Sequence, residues 1–337
     1  MERFGFLSFG HYTNAPGSQT TNARDMLHQA VELAEAADEL GVNGAFFRVH
    51  HFARQQASPF PLLAAIAART ERIEMGTGVV DLRYENPLYL AEETAATDLL
   101  SDGRLQLGVS RGSPETVVRG YEHFGYHSDD PRGADIAREK FDVFMNALDG
   151  HAIATAESGV GKVRIEPHSP GVRQRIWWGA ATRETAEWAA AKGVNLMSST
   201  LLTEATGKPF HELQHEQIER YRAAWTHAWQ PRVSVSRSIF PITSDIDRQL
   251  FGARTDHDQI GVIDGLRSTF GKTYVGEPDE LIEQLRNDSA VMSADTLMLT
   301  IPNQLGVAYN AHLLASFAEH VAPELGWIPN NAEKVAA

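Results

Sequence analysis

The chain has 337 residues, 42% of them hydrophobic and 22% charged, the makeup of a soluble protein able to bury a sizeable core. Its formal net charge of -14, with no run of lysine and arginine, repels nucleic-acid phosphates and anionic membrane surfaces, so neither is expected as a partner. With no cysteine, disulfides, thiolate nucleophiles, iron–sulfur clusters and cysteine zinc sites are excluded, and any chemistry falls to histidine, carboxylates, hydroxyls or a cofactor.

The first residues form no cationic leader, and the longest fully apolar stretch, 62–68, is far too short for a bilayer, so a cytoplasmic address is expected. In chain order, β-type runs at 3–9, 43–49, 73–79, 104–109, 175–179, 194–198, 233–240 and 296–301 alternate with helical patterns. The helices are predicted at 23–40, 59–69, 87–100, 133–148, 184–192, 209–229, 278–287 and 307–321. The first sets Leu27, Ala30, Val31, Ala34 and Ala37 on one face and stops at Gly41. Eight strand–helix units predict an α/β fold, a closed (β/α)8 TIM barrel forming one domain over 1–337. Two segments interrupt the repeat. Glycine-rich 150–172 reads as a hairpin inserted before the fifth strand. Polar, glycine-dotted 243–275 follows the seventh strand and reads as a lid.

The carboxyl ends of barrel strands carry the active site, and the second predicted strand ends in His50 and His51. Imidazole titrates near neutrality, and neighbouring side chains on an extended segment point opposite ways, so one of the pair is expected to face a ligand. The competing reading is that both close loop hydrogen bonds. His211-Glu212-Leu213-Gln214-His215 matches the His-Glu-x-x-His zinc motif and keeps a metalloprotease in view as a minor alternative. The stripe Phe210, Leu213, Tyr221, Ala224, Trp225 and Ala228 is predicted to face the barrel, however, leaving both histidines on its flank without an evident third ligand; no metal is expected.

Several blocks then stand in a telling order: 3–10, His50-His51-Phe52, Met75-Gly76-Thr77-Gly78-Val79, Ser101-Asp102-Gly103-Arg104, Gly108-Val109-Ser110-Arg111-Gly112, 176–185 with Glu187-Trp188-Ala189-Ala190, and 297–314. In these the chain resembles, over nearly its full length, the bacterial luciferase-like flavin monooxygenases. The resemblance implies a barrel with an inserted hairpin and a mobile lid, binding flavin mononucleotide (FMN). Arg111, Thr182 and Thr185 match the family's phosphate ligands: an arginine offers a fixed fork of donors, and the two threonines open a helix whose N-terminal amides favour an anion. Thr182 alone reads equally as a plain helix cap. Gly78, Val79, Ser110 and Ala181 are the further expected cofactor contacts, with a non-proline cis peptide implied at Gly78–Val79.

Two departures from luciferase itself stand out: Ser110 replaces its reactive cysteine, and Val49 replaces the acid that commonly precedes the histidine pair. The implied reaction uses reduced FMN and dioxygen, by way of a C4a-hydroperoxyflavin, to oxygenate a small organic substrate, with His50 and His51 as the catalytic residues. No Gly-x-Gly-x-x-Gly turn offers a nicotinamide site, so a separate flavin reductase is the expected partner. Phe9, His11, Tyr12, Phe52, Tyr84 and the lid suggest a mostly hydrophobic substrate. A homodimer is also implied. The rivals are a deazaflavin-dependent hydride-transfer enzyme of the same fold and a non-catalytic flavin-binding homologue.

Overall fold

Local sequence punctuation places the helices. Asn22 accepts a hydrogen bond from the Asp25 amide and opens α1, Ala23–Glu39. Proline at the first position begins α2, Pro59–Arg69, and α3, Pro87–Leu100, the latter also capped by the Asn86 side chain. The series continues with α4, Ala134–Leu148, α5, Arg183–Lys192, α6, Phe210–Ala223, α7, Pro278–Arg286, and α8, Gly306–His320. These elements belong to a computed structural model that describes residues 1–112, 116–252, 257–263 and 266–331. Part of the expected lid, 253–256 and 264–265, and the end of the expected domain, 332–337, lie outside the described residues.

Eight parallel strands close on themselves: β1, Arg3–Ser8; β2, Gly44–Phe47; β3, Glu74–Thr77; β4, Leu105–Ser110; β5, Ile176–Ala180; β6, Asn195–Ser198; β7, Val233–Pro241; and β8, Thr296–Ile301. Pairing runs in chain order and β8 returns to β1, with Arg3 opposite Thr296. The fold is the expected TIM barrel. Alternate residues face opposite sides. Phe4, Phe6 and Phe47 join the large outer core with the helices, Phe4 meeting Phe317 of α8 edge to face at 5.1 Å. Leu7, Phe46, Trp177, Met197 and Met298 form a separate cluster inside the barrel. Glycine makes room there: a Cβ at Gly76 would sit 1.9 Å from the Gln106 carbonyl oxygen. Towards the amino ends of the strands the interior is polar, with Glu74 accepting from both terminal nitrogens of Arg232 at 2.9 Å and from Arg3 at 3.1 Å.

Three stretches depart from a plain repeat. Between α4 and β5, Ala154–Thr155 pairs antiparallel with Lys162–Val163, and all four residues are exposed. The helix expected over 209–229 ends at Ala223, where the chain turns and the Trp225 indole N–H donates to the His227 and Trp229 carbonyls. The segment after β7, expected as one loop, instead contains a helix, Asp245–Phe251, and two paired strands, Gln259–Ile263 and Leu266–Phe270. It closes with Thr273–Gly276, which extends the barrel sheet beside Ser238–Pro241. Leu266–Phe270 also pairs with Leu201–Leu202, just past β6, which ties this segment to the barrel mouth. Among the described residues no helix is long and apolar enough to cross a membrane.

Candidate active site at the barrel mouth

Residues in six of the strands and just past the ends of β2 and β3 line a cavity of about 500 Å3 at the carboxyl ends of the barrel, a size that suits a cofactor or small ligand. Its floor is the inner cluster: Leu7, Met197 and Met298 line it, with Phe9 and Val79 packed alongside. Every residue expected at a cofactor is brought to this one cavity: Gly78, Val79, Ser110, Arg111, Ala181, Thr182 and Thr185 all line it. The Gly78–Val79 peptide is cis.

On the β4–β5 side the chain is built to present donors. Gly112 adopts φ +91°, a conformation glycine alone takes easily, and a Cβ there would meet the Asp81 carboxylate at 2.0 Å. The turn lets the Gly112 amide donate to Ser110 Oγ at 2.8 Å and places Arg111 at the cavity. Asp81 is held by a two-pronged pair with Arg83, at 3.0 Å to Nε and 2.6 Å to a terminal nitrogen. Thr182 caps α5: its Oγ1 accepts from the Thr185 amide at 3.1 Å and donates to Thr185 Oγ1 at 2.8 Å. Arg132 and Arg138, from before and within α4, line the same side. The sequence did not single out either arginine, since nothing local marks which helix flank overhangs a strand distant in the chain.

The β1–β2 side is different. His50 lines the cavity, its amide fixed by the Gln56 carbonyl at 2.8 Å. Burial, then the positive charges of Arg48, His51 and His11, hold its imidazole down to about 4, so it is neutral at physiological pH. His51 does not line the cavity; it stacks on Tyr84 at 4.2 Å, and its buried Nε2 has no hydrogen-bond partner. His50 follows β2 in step with Phe46 and Arg48, and the chain turns at His51. Val49, which stands where the resemblance leads one to expect an acid, is buried and also lines the cavity. Among the residues expected to set specificity, Phe9 lines the cavity, whereas Tyr84 is buried beneath His51 and Phe52 is half exposed beside Phe124. Arg48 was overlooked in the sequence, although its spacing from Phe46 and His50 was a usable signal.

The His-Glu-x-x-His match resolves into packing contacts. His211 Nδ1 pairs with Ser289 Oγ at 3.0 Å and His215 Nδ1 with Ser293 Oγ at 2.8 Å, holding α6 to the short helix Ser289–Ser293. Among the described residues no three metal-ligating side chains converge.

Comparison with known proteins agrees with the geometry. The sequence model of a family described as luciferase-like monooxygenase matches residues 1–250. The chain is 30% identical to the uncharacterised protein y4wF of Sinorhizobium fredii over 200 residues, 56% of this chain and 55% of that one, so it spans about half the length of that relative. It is 24% identical to the oxygenase component of flavin-dependent trigonelline monooxygenase from Acinetobacter baylyi, over 73% of this chain and 67% of that one. The oxygenating constituent of 3,6-diketocamphane monooxygenase from Pseudomonas putida, solved in complex with FMN, superposes with a TM-score of 0.68 over 96% of this chain and 98% of its own, at 15% identity.

Proposed function

The chain belongs to the luciferase-like monooxygenase family, and from that premise we propose that it is a flavin-dependent oxygenase that binds reduced FMN and uses dioxygen to oxygenate a small organic substrate. The observation that carries the reading is the division of the cavity into a donor-rich wall at β4–β5 and an apolar floor. The residues fit the cofactor. Arg111, the hydroxyls of Thr182 and Thr185 and the first amides of α5 would hold the phosphate, where a helix N-terminus and a guanidinium both favour a dianion. Gly78, Val79 and Ala181 would lie against the ring, and the Ser110 hydroxyl, which accepts from Gly112, still has a hydrogen to offer the ring edge.

When bound, reduced FMN supplies the electrons that activate dioxygen. This chain's own part is to exclude water, orient the substrate and manage a proton. His50, neutral and facing the cavity, is the group to accept that proton during oxygen transfer. His51, stacked on Tyr84, would hold the turn that positions His50. The strands Gln259–Ile263 and Leu266–Phe270, tied to Leu201–Leu202, would act as the lid. The protein would work as one barrel domain, in the cytoplasm, as a homodimer, with a separate reductase delivering reduced FMN.

The test is an absorption titration of the purified protein with oxidised and then reduced FMN, followed by rapid mixing with dioxygen. Tight FMN binding with riboflavin much weaker, and a flavin–oxygen species that decays slowly before reoxidation, are expected. Reduction of a deazaflavin by an alcohol, with no such species, would replace the oxygenase reading by hydride transfer.

A further inference from the structure

The donor wall carries the same two-residue pattern twice. Arg111 is followed by Gly112 and Arg132 by Gly133; both arginines line the cavity, and both glycines take a positive φ, +91° and +64°. One ion pair lies against both glycines. A Cβ on Gly112 would sit 2.0 Å from the Asp81 carboxylate, and one on Gly133 would sit 2.9 Å from Cδ of Arg83. Val80–Asp81 pairs alongside β4 with Asp81 opposite Ser110, so the carboxylate starts from a fixed backbone next to the Arg111 turn. It accepts from the Arg83 amide at 3.0 Å as well as from the guanidinium.

The geometry of Arg83 makes the pair a plate between the two loops. Its Nε and one terminal nitrogen donate to Asp81, and the other terminal nitrogen donates to the Arg132 carbonyl at 3.3 Å. These donors share one plane, so fixing two of them aims the third. The guanidinium also covers the Tyr121 ring at 5.4 Å, and Lys140 of α4 donates to the Arg83 carbonyl at 2.7 Å. Both side chains are largely buried, Arg83 13% and Asp81 6% exposed. Pairing has a second consequence. Asp81 lines the cavity, where a bare carboxylate would repel an anion, and the Arg83 charge offsets it.

We propose that Asp81 and Arg83 are positioning residues: as a pair they set Arg111 and Arg132 at the anion end of the cavity, each through the glycine that follows it. This rests on the reading above, in which a phosphate occupies that side, and it adds Arg132 as a second arginine serving it. An arginine side chain is long and loses much freedom when its fork is held on a ligand. A turn already fixed by a buried pair lowers that loss. A side chain at either glycine would push its loop off the pair, so the two Arg-Gly steps and the ion pair form one unit. Asp81 and Arg83 themselves touch no phosphate in this scheme; they act through the arginines.

The experiment is a fluorescence titration of FMN and riboflavin into wild type, Asp81→Asn and Gly112→Ala, and into Arg111→Ala/Arg132→Ala with and without Asp81→Asn. Asp81→Asn should weaken FMN about 10-fold and riboflavin by less than about 3-fold. Gly112→Ala, which keeps both charges of the pair, should show the same selective loss, and it carries the test if thermal melts show Asp81→Asn unfolded. In the variant lacking both arginines, Asp81→Asn should change FMN affinity hardly at all, since effects that run through a shared partner do not add. Amide hydrogen exchange on the flavin-free proteins gives an independent reading. The Gly112 and Gly133 amides, which donate to Ser110 Oγ and to the Asp130 carbonyl, should exchange about 10-fold faster in Asp81→Asn, with α1 unchanged. Equal losses for both flavins in Asp81→Asn would make the pair ordinary structure and overturn the proposal. So would a loss of FMN that persists in full once both arginines are gone, or unchanged exchange at both glycines. Should wild type take up neither flavin, the flavin reading alone falls, because the exchange measurement still decides whether the pair holds the two loops.

Discussion

The two sides of the cavity are both cationic, but they are made of different things. At β4–β5 the donors are helix amides, threonine hydroxyls and arginines, none of which titrates near neutrality, and they are set on stiff elements by a cap and a glycine turn. At β1–β2 the charge of Arg48 and the titratable ring of His50 stand beside apolar side chains, and the charge of Arg48 adds to burial in lowering the proton affinity of the ring. The first side suits an anion held the same way through every turnover. The second suits a group whose proton affinity responds to what lies beside it. Under the proposed function, binding and chemistry would thus be separated across one barrel mouth, and substitutions on the two sides should fail in different ways.

The largest effect should come from the chemical side. In His50→Ala, oxygenation should fall about 10²- to 10⁴-fold while reduced FMN still binds, with hydrogen peroxide released instead of product. Peroxide yield per flavin oxidised, measured beside flavin affinity, checks this; a parallel loss of FMN binding would move His50 to the binding side of the comparison. Next is Arg111→Ala, which should weaken FMN by about 2 to 4 kcal/mol and riboflavin hardly at all, read by fluorescence titration. Equal losses for the two ligands would take Arg111 away from the phosphate.

Smaller effects refine the contrast. Thr182→Ala removes a helix cap and should lower stability by about 1 kcal/mol in denaturant melts, besides weakening FMN several-fold. A loss of FMN affinity with stability unchanged would show the hydroxyl acting on ligand alone. The acid side of stability should carry the mark of His50. Its folded value is about 4 against 6.5 for the free side chain, so between those pH values the unfolded chain binds a proton that the native state refuses. Stability should therefore fall as pH drops from 6.5 towards 4, and less steeply in His50→Gln; identical slopes would mean that His50 is not held neutral. Least affected should be His215→Ala, which loses one hydrogen bond to Ser293, about 1 kcal/mol of stability, and leaves FMN binding intact. A stoichiometric zinc ion bound by the wild type, found by elemental analysis, would contradict that assignment.

Much of this architecture is legible in the sequence wherever the cause is local. α2 and α3 begin at prolines and end where predicted, and β8 spans its predicted residues, because caps, proline and apolar runs act within a few positions. The clustering of Arg111, Thr182 and Thr185 was also foreseeable, since a barrel brings all strand ends together and each residue follows one. The segment after β7 was not: Thr273–Gly276 is a strand only because Ser238–Pro241 pairs with it, a partner more than thirty residues away. Nor did the histidine motif reveal that His211 and His215 meet serines on a helix 78 positions later.

By itself, then, the amino-acid order determined the eight strand–helix units, the polar ends of their strands and the absence of thiol chemistry, because periodicity, capping and composition are properties of neighbouring residues. Only the tertiary structure decided which of two adjacent histidines enters the cavity, which arginines reach it and on which side, and that Arg48 stands on Phe9 beside the apolar floor. Those outcomes depend on the closure of β8 onto β1 and on the way each strand end faces the others across the mouth, and no stretch of chain short enough to be read locally contains that information.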